Sequence, residues 1–539
     1  MKKTFLPVGL LLSVSILLSS CLKDLDRQPF YGLNSATLYD TVKNYLHVLA
    51  KIYAGFATTG NQGPAGQPDI SGIDEGFSNY IRVYWNLQEL PTDEAICAWN
   101  DPGIPELHNM SWSAENSFTK AMYYRIFFTI ALCNEFIREC SEEKLSQRGF
   151  SEADKELIRG YQAEARFIRA LVYYHALDLF GNVPFVTEAD LPGSSLPRQI
   201  FRPELFEYVE SELKAVENLL PPPRQNEYGR ADQAAVWMTL AKLYLNAEVY
   251  VNQNRYTDCI TYCKKVIESG AYSLEPVYGN LFRADNHKSN EIIFPIAFDG
   301  LYTQTYGGTT FLTHAPVGGT MNPADFGING GWAGYRTTSD TLPNFGFAAL
   351  FGSTKNNPRG DTLDGRNFLY DKGQNLVINS VSNFKDGLGI TKWRNITSDG
   401  QPGKDATGNF VDTDYPLYRL ADAYLMYAEA VLRGGSGGDM GTAINYINQL
   451  RERAYGNSNH NVSSIDLDFI LNERGRELYW EATRRTDLIR YNRFTEGTYL
   501  WPWKGGVKNG TAVSEHLKLF PLAAPDIIAN PNLKQNPGY

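Results

Sequence analysis

A mainly α-helical repeat scaffold packed against a loop-rich lobe with short strands is the fold class this sequence predicts. Three features carry the prediction. Segments with helical periodicity recur along the chain, two of them resemble one another at a spacing that suits a helical repeat, and two other regions lose the periodicity altogether.

In YQAEARFIRALVYYHALDLFG, Ala163, Phe167, Ala170, Leu171, Tyr174 and Leu177 recur at helical spacing, with Glu164, Arg166, Arg169 and Asp178 opposite. ADQAAVWMTLAKLYLNAEVY places Trp237, Leu240, Ala241 and Tyr244 on one face, and YPLYRLADAYLMYAEAVLR does so with Leu417, Leu420, Ala421, Tyr424 and Ala428. Each pattern mixes alanine with large rings, which lets helices cross closely while the rings fill the gaps. ALVYY begins at 170 and AKLYL at 241, a separation of 71 residues, twice the period of about 34 of a tetratricopeptide repeat. RYTDCITYCKKVIESGAYSL reads as a partner helix stopped by Gly270. The expectation is a tetratricopeptide-like superhelix of about four helical hairpins.

Regions of about 55–115 and 270–410 are different: turn-forming residues dominate, with only short β-like runs such as EIIFPIAF. Residues 301–335, LYTQTYGGTTFLTHAPVGGTMNPADFGINGGWAGY, concentrate glycine and aromatic rings and carry little charge. Glycines let a backbone pass close to a neighbour, and rings on loops held by rigid helices suit a ligand-binding surface. The expectation here is a surface built to hold a ligand, with Tyr302, Tyr306, Phe311, Phe326, Trp332 and Tyr335 as its rings.

Composition narrows the function. A net charge of −10 speaks against nucleic acid and against a polybasic membrane surface. Aromatics make up 13 % of the chain, with 33 Tyr, more than core packing alone requires. Lys2 and Lys3 precede an apolar run from Phe5 to Leu18, too short for a stable bilayer span, so residues 1–20 read as a secretory signal. The run ends in LSSC, which resembles a bacterial lipobox and makes Cys21 the expected lipidated first residue, with 21–539 as a single unit. The other cysteines, Cys97, Cys133, Cys140, Cys259 and Cys263, are odd in number and lack CxxC spacing. They form neither a disulfide framework nor a zinc site, and Cys259 and Cys263 read as small buried hydrophobes on one helix face.

Several motifs invite a catalytic reading and fail it. Asp93 and Glu94 are adjacent on an extended segment, so they point apart and cannot flank one glycosidic bond; a turn or cap beside Trp99 is the expected role. GGSGG at 434–438 matches a nucleophile elbow in letters, but follows a helix rather than a strand. The histidines show no HExxH spacing. Asp412 and Asp414 offer hard oxygens that suit calcium, or else begin a helix with acidic residues.

AEARFIRALVYYHALDLFGNVPF, GRADQAAVWMTLAKLYLNA, DTDYPLYRLADAYLMYAEAV, ERGRELYWEATRRTDLIRYNRF and the ending FPLAAPDIIANPNLKQNPGY resemble the SusD/RagB family of Bacteroidetes outer-membrane lipoproteins. The resemblance implies a tetratricopeptide-like superhelix packed on a variable lobe. It also implies a surface-exposed lipid anchor, no catalysis and no obligatory cofactor, although some relatives bind calcium. It implies a TonB-dependent outer-membrane transporter as the partner that receives oligosaccharide. LKDLD after Cys21 is similar to the family's acidic surface-export signal. GIDEGFSNYIRVYWNLQELPTDEAICAW, TYGGTTFL, INGGW, DGLGITKWRNITSDGQP and YLWPWKGGVKNGT resemble the family's starch-binding founding member. On that likeness the aromatic platforms fall on Trp99, Tyr306 and Trp332, and the polar contacts on Asp74 and Arg82. The family's asparagine three positions after the tryptophan is Pro102 here; the loop is one residue shorter, and Asn100 is the expected substitute. The implied ligand is an α-1,4-glucan. The alternatives are another glycan on the same family scaffold, or a protein-binding tetratricopeptide adapter.

Overall fold

The computed structural model describes residues 38–193, 195–341 and 345–539. The expectations for the signal segment, Cys21 and the residues after it lie outside these. The scaffold is a series of helices, each packed against the next. They are α1 (Val42–Ala57), α2 (Tyr80–Glu89), α3 (Ser117–Glu139), α4 (Glu152–Leu179), α5 (Arg202–Val216), α6 (Gln233–Leu245) and α7 (Tyr256–Glu268). The lobe carries α8 (Gly308–His314), and after it come α9 (Leu420–Leu432), α10 (Met440–Tyr455), α11 (Leu467–Leu478) and α12 (Arg484–Arg490). Helix α3 packs on α4, α4 on α5, α6 on α7, and α9 on both α7 and α10. This is the tetratricopeptide-like array of hairpins that the periodicity predicts. The caps follow local chemistry: Asn116, Ser151, Asp232 and Asp439 each accept a backbone N–H from the first turn. Gly270, at φ +66°, follows the end of α7. GGSGG joins α9 to α10, as expected of a helix–helix connection.

Three expectations change. YPLYR is not helical: Tyr415–Arg419 is strand β8, paired antiparallel with β4 (Ile292–Ile296), and helix begins only at Leu420. Asp412 and Asp414 therefore precede a strand. The long pattern ending at Tyr250 breaks at Asn246, whose amide bonds Lys242 O and Arg490 and separates α6 from a short helix Ala247–Val251. Residues 301–335 are no simple loop, because α8 occupies their middle.

Strands are short and paired in twos: β1 (Ile96–Cys97) with β5 (Tyr335–Arg336), β2 (Val183–Phe185) with β3 (Arg198–Ile200), β4 with β8, and β6 (Leu369–Tyr370) with β7 (Gly389–Ile390). A buried ionic network fastens the lobe to the scaffold. Arg366 meets Asp364 at 2.7 Å and Glu473 at 2.7 Å, and Arg419 joins Glu291 at 2.8 Å, Glu477 at 2.7 Å and Glu481 at 2.7 Å. Lys392 of the lobe reaches Glu481 at 2.7 Å, and burial pushes its pKa down to about 8. Removing one partner of such a cluster strands a desolvated charge, at a cost of about 3–5 kcal/mol. The five cysteines among the described residues are free, and all are buried, Cys259 and Cys263 as expected.

Asp93 and Glu94 belong to this buried framework and not to a turn or cap beside Trp99. Arg484 donates Nε–H and Nη2–H to the two oxygens of Asp93 at 2.8 and 2.7 Å, while Glu94 accepts the backbone N–H of Trp480 at 2.8 Å. The segment before Trp99 is thus bolted to the loop between α11 and α12.

Candidate functional site

Trp99 and Trp332 are brought together by the shortest of sheets. Antiparallel pairing of Cys97 with Tyr335 places the segment after β1 (Ile96–Cys97) beside the segment before β5 (Tyr335–Arg336), and Ala98 N–H donates to Gly334 O at 2.9 Å. Trp99 Nε1–H then donates to Trp332 O at 3.0 Å, with the two rings tilted at 44° and their centroids 6.3 Å apart. The Trp99 ring lies on bare backbone: a Cβ at Gly334 would sit 2.3 Å from it. Trp332 is backed by His314 of α8, stacked at 5.0 Å and 23°. Burial lowers the His314 pKa, so the ring is neutral at pH 7 and its Nδ1–H donates to Gly330 O at 2.7 Å. Both indoles are half-buried, one side packed and the other open.

Helix α8 is seated by two glycines. Gly308 has φ +52°, and a Cβ there would lie 2.1 Å from the Phe298 ring; one at Gly307 would lie 2.0 Å from Asn79. Asn79 caps α2 through Arg82 N–H and also accepts Gly308 N–H at 3.0 Å. One side chain therefore ties the start of α2 to the start of α8, and with them Arg82 to Tyr306. Arg82 donates Nη1–H to Tyr306 O at 2.8 Å and to Gly76 O at 3.2 Å. Its guanidinium covers the Phe311 ring at 4.7 Å and Trp332 at 5.8 Å. No ion pair holds it among the described residues, so the pairing of Arg82 with Asp74 that the sequence permits is not formed; Asp74 instead accepts Gly76 N–H at 2.6 Å. Burial lowers the Arg82 pKa, yet a guanidinium stays charged at neutral pH. Tyr306 is 40 % exposed, its ring 5.8 Å from Phe410.

Asp74, Arg82, Trp99, Tyr306 and Trp332 line one groove of about 690 Å³, a size that suits a small organic ligand. Asn100 is exposed and is not among the lining residues; the adjoining Asp101 and Pro102 are. Sequence reasoning overlooked Phe77, Phe118 and Ile104, which also line the groove. Phe77 and Phe118 stack at 4.5 Å and 27°. Phe118 follows the Asn116 cap in the first turn of α3, where an apolar residue looks like ordinary helix core.

Asp412 and Asp414 do not fit a cation. Asp412 accepts the N–H groups of Gly300 (2.9 Å) and Lys404 (2.5 Å), and Asp414 accepts Phe298 N–H (2.8 Å) and the Tyr228 hydroxyl (2.5 Å). All four oxygens face donors. Among the described residues no group of three or more His, Cys, Asp or Glu side chains is arranged to hold a metal, and no helix is long and apolar enough to cross a membrane.

Comparison with known proteins adds independent findings. The SusD family model matches residues 301–539. The chain is 36 % identical over 576 aligned positions to the starch-binding protein SusD of Bacteroides thetaiotaomicron, covering 100 % of this chain and 99 % of that one. A SusD-like protein of Bacteroides ovatus is 26 % identical over 89 % of this chain and 82 % of its own. Among solved structures, surface glycan-binding protein A of Bacteroides thetaiotaomicron in complex with laminarihexaose superposes with a TM-score of 0.70 at 19 % identity, covering 92 % of this chain and 99 % of that one. At that identity the likeness shows the fold alone.

Proposed function

Because the chain belongs to the SusD family, we propose that it is a cell-surface lipoprotein, anchored through Cys21 to the outer membrane. On this reading it captures starch or maltooligosaccharide and delivers it to a SusC-like TonB-dependent transporter. The observation that carries the proposal is the groove in which Trp99, Tyr306 and Trp332 each present an open aromatic surface beside Arg82 and Asp74. Sugar rings offer C–H faces that lie flat on aromatic rings, and hydroxyls that need donors and acceptors at the rim. The groove supplies both. An arc of rings suits an α-1,4-linked chain, which curves.

The choice of α-1,4-glucan rests on the full-length likeness to a relative named for starch binding. The non-catalytic reading rests on the family and on the burial of Asp93 and Glu94, which are committed to Arg484 and Trp480. If each sugar face covers about 60 Å² of ring, each platform contributes ~1.5 kcal/mol at ~25 cal/mol per Å². Three platforms, less the cost of ordering the ligand, place the affinity between about millimolar and tens of micromolar. Weak binding suits a protein that must release its cargo. Calorimetric titration with maltohexaose tests the assignment: binding should be measurable in the wild type and fall at least tenfold in Trp332→Ala, with the helical circular-dichroism signal retained. Equal affinity in the two proteins would refute it.

A further inference from the structure

We propose that Tyr302 is an outer sugar platform that makes the groove sensitive to glycan length. The inference rests on the glycan-binding reading and goes beyond it to a residue outside the groove lining. Tyr302 is 85 % exposed and Leu301 49 %, and no ring or hydrogen-bond partner holds the Tyr302 side chain among the described residues. A bare ring is costly to leave in water, and this one is held in place by its backbone. Asp299 accepts the N–H groups of Leu301 at 2.9 Å and Tyr302 at 3.2 Å, and its other oxygen takes Lys404 Nζ at 2.5 Å. Thr303 closes the turn by accepting Asp299 N–H at 2.6 Å and donating N–H to Asp299 O at 2.9 Å.

The turn is also joined to the support beneath the groove. Gly300 N–H donates to Asp412 at 2.9 Å, and a Cβ on Gly300 would meet Phe410 O at 3.0 Å. The ring of the same Phe410 backs Tyr306. Tyr302 and Tyr306 therefore stand on one segment, residues 404–412, and four residues of chain cannot separate them by more than about 14 Å. A glycan that extends beyond Tyr306 on this side would come within reach of the Tyr302 ring. Because the turn is already formed, stacking there orders little beyond the ring. This also gives Asp412 a role without a metal: it anchors the turn.

The test compares maltotriose, too short to reach beyond the arc, with maltodecaose, using wild type, Tyr302→Ala and Tyr302→Phe. Tyr302→Ala should weaken maltodecaose binding about threefold to tenfold and leave maltotriose within error, while Tyr302→Phe, which keeps the ring, should match the wild type. Equal losses for the two lengths would mean that Tyr302 acts through the fold, and no loss for either would mean that its ring serves another surface, such as transporter docking. Either result overturns the proposal. If the wild type binds laminari-oligosaccharides in place of malto-oligosaccharides, the linkage reading fails, and the same short-against-long comparison in that series decides the role of Tyr302.

Discussion

Gly334 has no side chain, and the Trp99 ring occupies the place where one would be. The indole packs against the Gly334 backbone, and its Nε1–H reaches Trp332 O. Gly334→Ala would place a methyl 2.3 Å from the ring and force the indole to tilt off its seat. We expect this substitution to lower maltohexaose affinity about tenfold while shifting the melting temperature by only a few degrees, since Trp99 is only half-buried and one side of it is open. Unchanged affinity would show that the orientation of Trp99 is unimportant. Residues of this kind were legible in the sequence: the family resemblance falls on Trp99, Tyr306 and Trp332, and each stands in a Gly/Asn-rich loop with few apolar neighbours. Phe77 and Phe118 were not legible. Nothing local separates a phenylalanine at a groove from one in a core, and only the approach of two distant segments makes the difference. Asn100 is a related case, since spacing alone cannot say which side of a loop its amide faces.

At the scale of elements, the helices were legible because alanine and ring periodicity survives in each, whereas strand β8 was not. YPLYR continues the apolar pattern of α9 without a break in period, and its extended state comes from pairing with β4, more than a hundred residues away in sequence. The contact between the end of α2 and the loop before α12 was likewise hidden. There Glu89 and Glu94 lie fully buried side by side. Burial, then the neighbouring Glu94, raise the Glu89 carboxyl well above its ordinary range, and burial pushes Glu94 up to about 7. Two buried carboxyls that interact in this way titrate as a pair. A carboxyl with a raised folded pKa stabilises fully below its unfolded value of about 4.5, and that contribution is lost as pH rises through about 7. Glu94→Gln keeps the shape and removes the titration. Between pH 5 and pH 8 the wild type should therefore lose on the order of 2 kcal/mol more stability than Glu94→Gln, as read by chemical denaturation at each pH. Parallel losses in the two proteins would contradict a raised Glu94 carboxyl. Because this contact anchors the segment leading to Trp99, glucan affinity should weaken over the same interval.

The whole molecule is a helical scaffold that holds segments from two distant loop-rich regions against each other. The chain crosses from one to the other through β1 and β5, through the double use of Asn79, and through the buried charges that lock the lobe to α11. Periodicity and composition carry the broad division into scaffold and lobe. They do not carry the meeting of residues 74–104 with 306–335, which depends on long-range pairing. The resulting groove is lined by Trp99, Tyr306 and Trp332, by two carboxylates at Asp74 and Asp101, and by one guanidinium already engaged by backbone carbonyls. That arrangement suits a neutral, curved sugar chain. The most direct test is calorimetry on the purified protein with three hexasaccharides that differ only in linkage: maltohexaose, laminarihexaose and cellohexaose. Binding of maltohexaose at least tenfold tighter than either β-linked chain is the predicted result; equal affinities, or a preference for laminarihexaose, would contradict the α-1,4-glucan assignment.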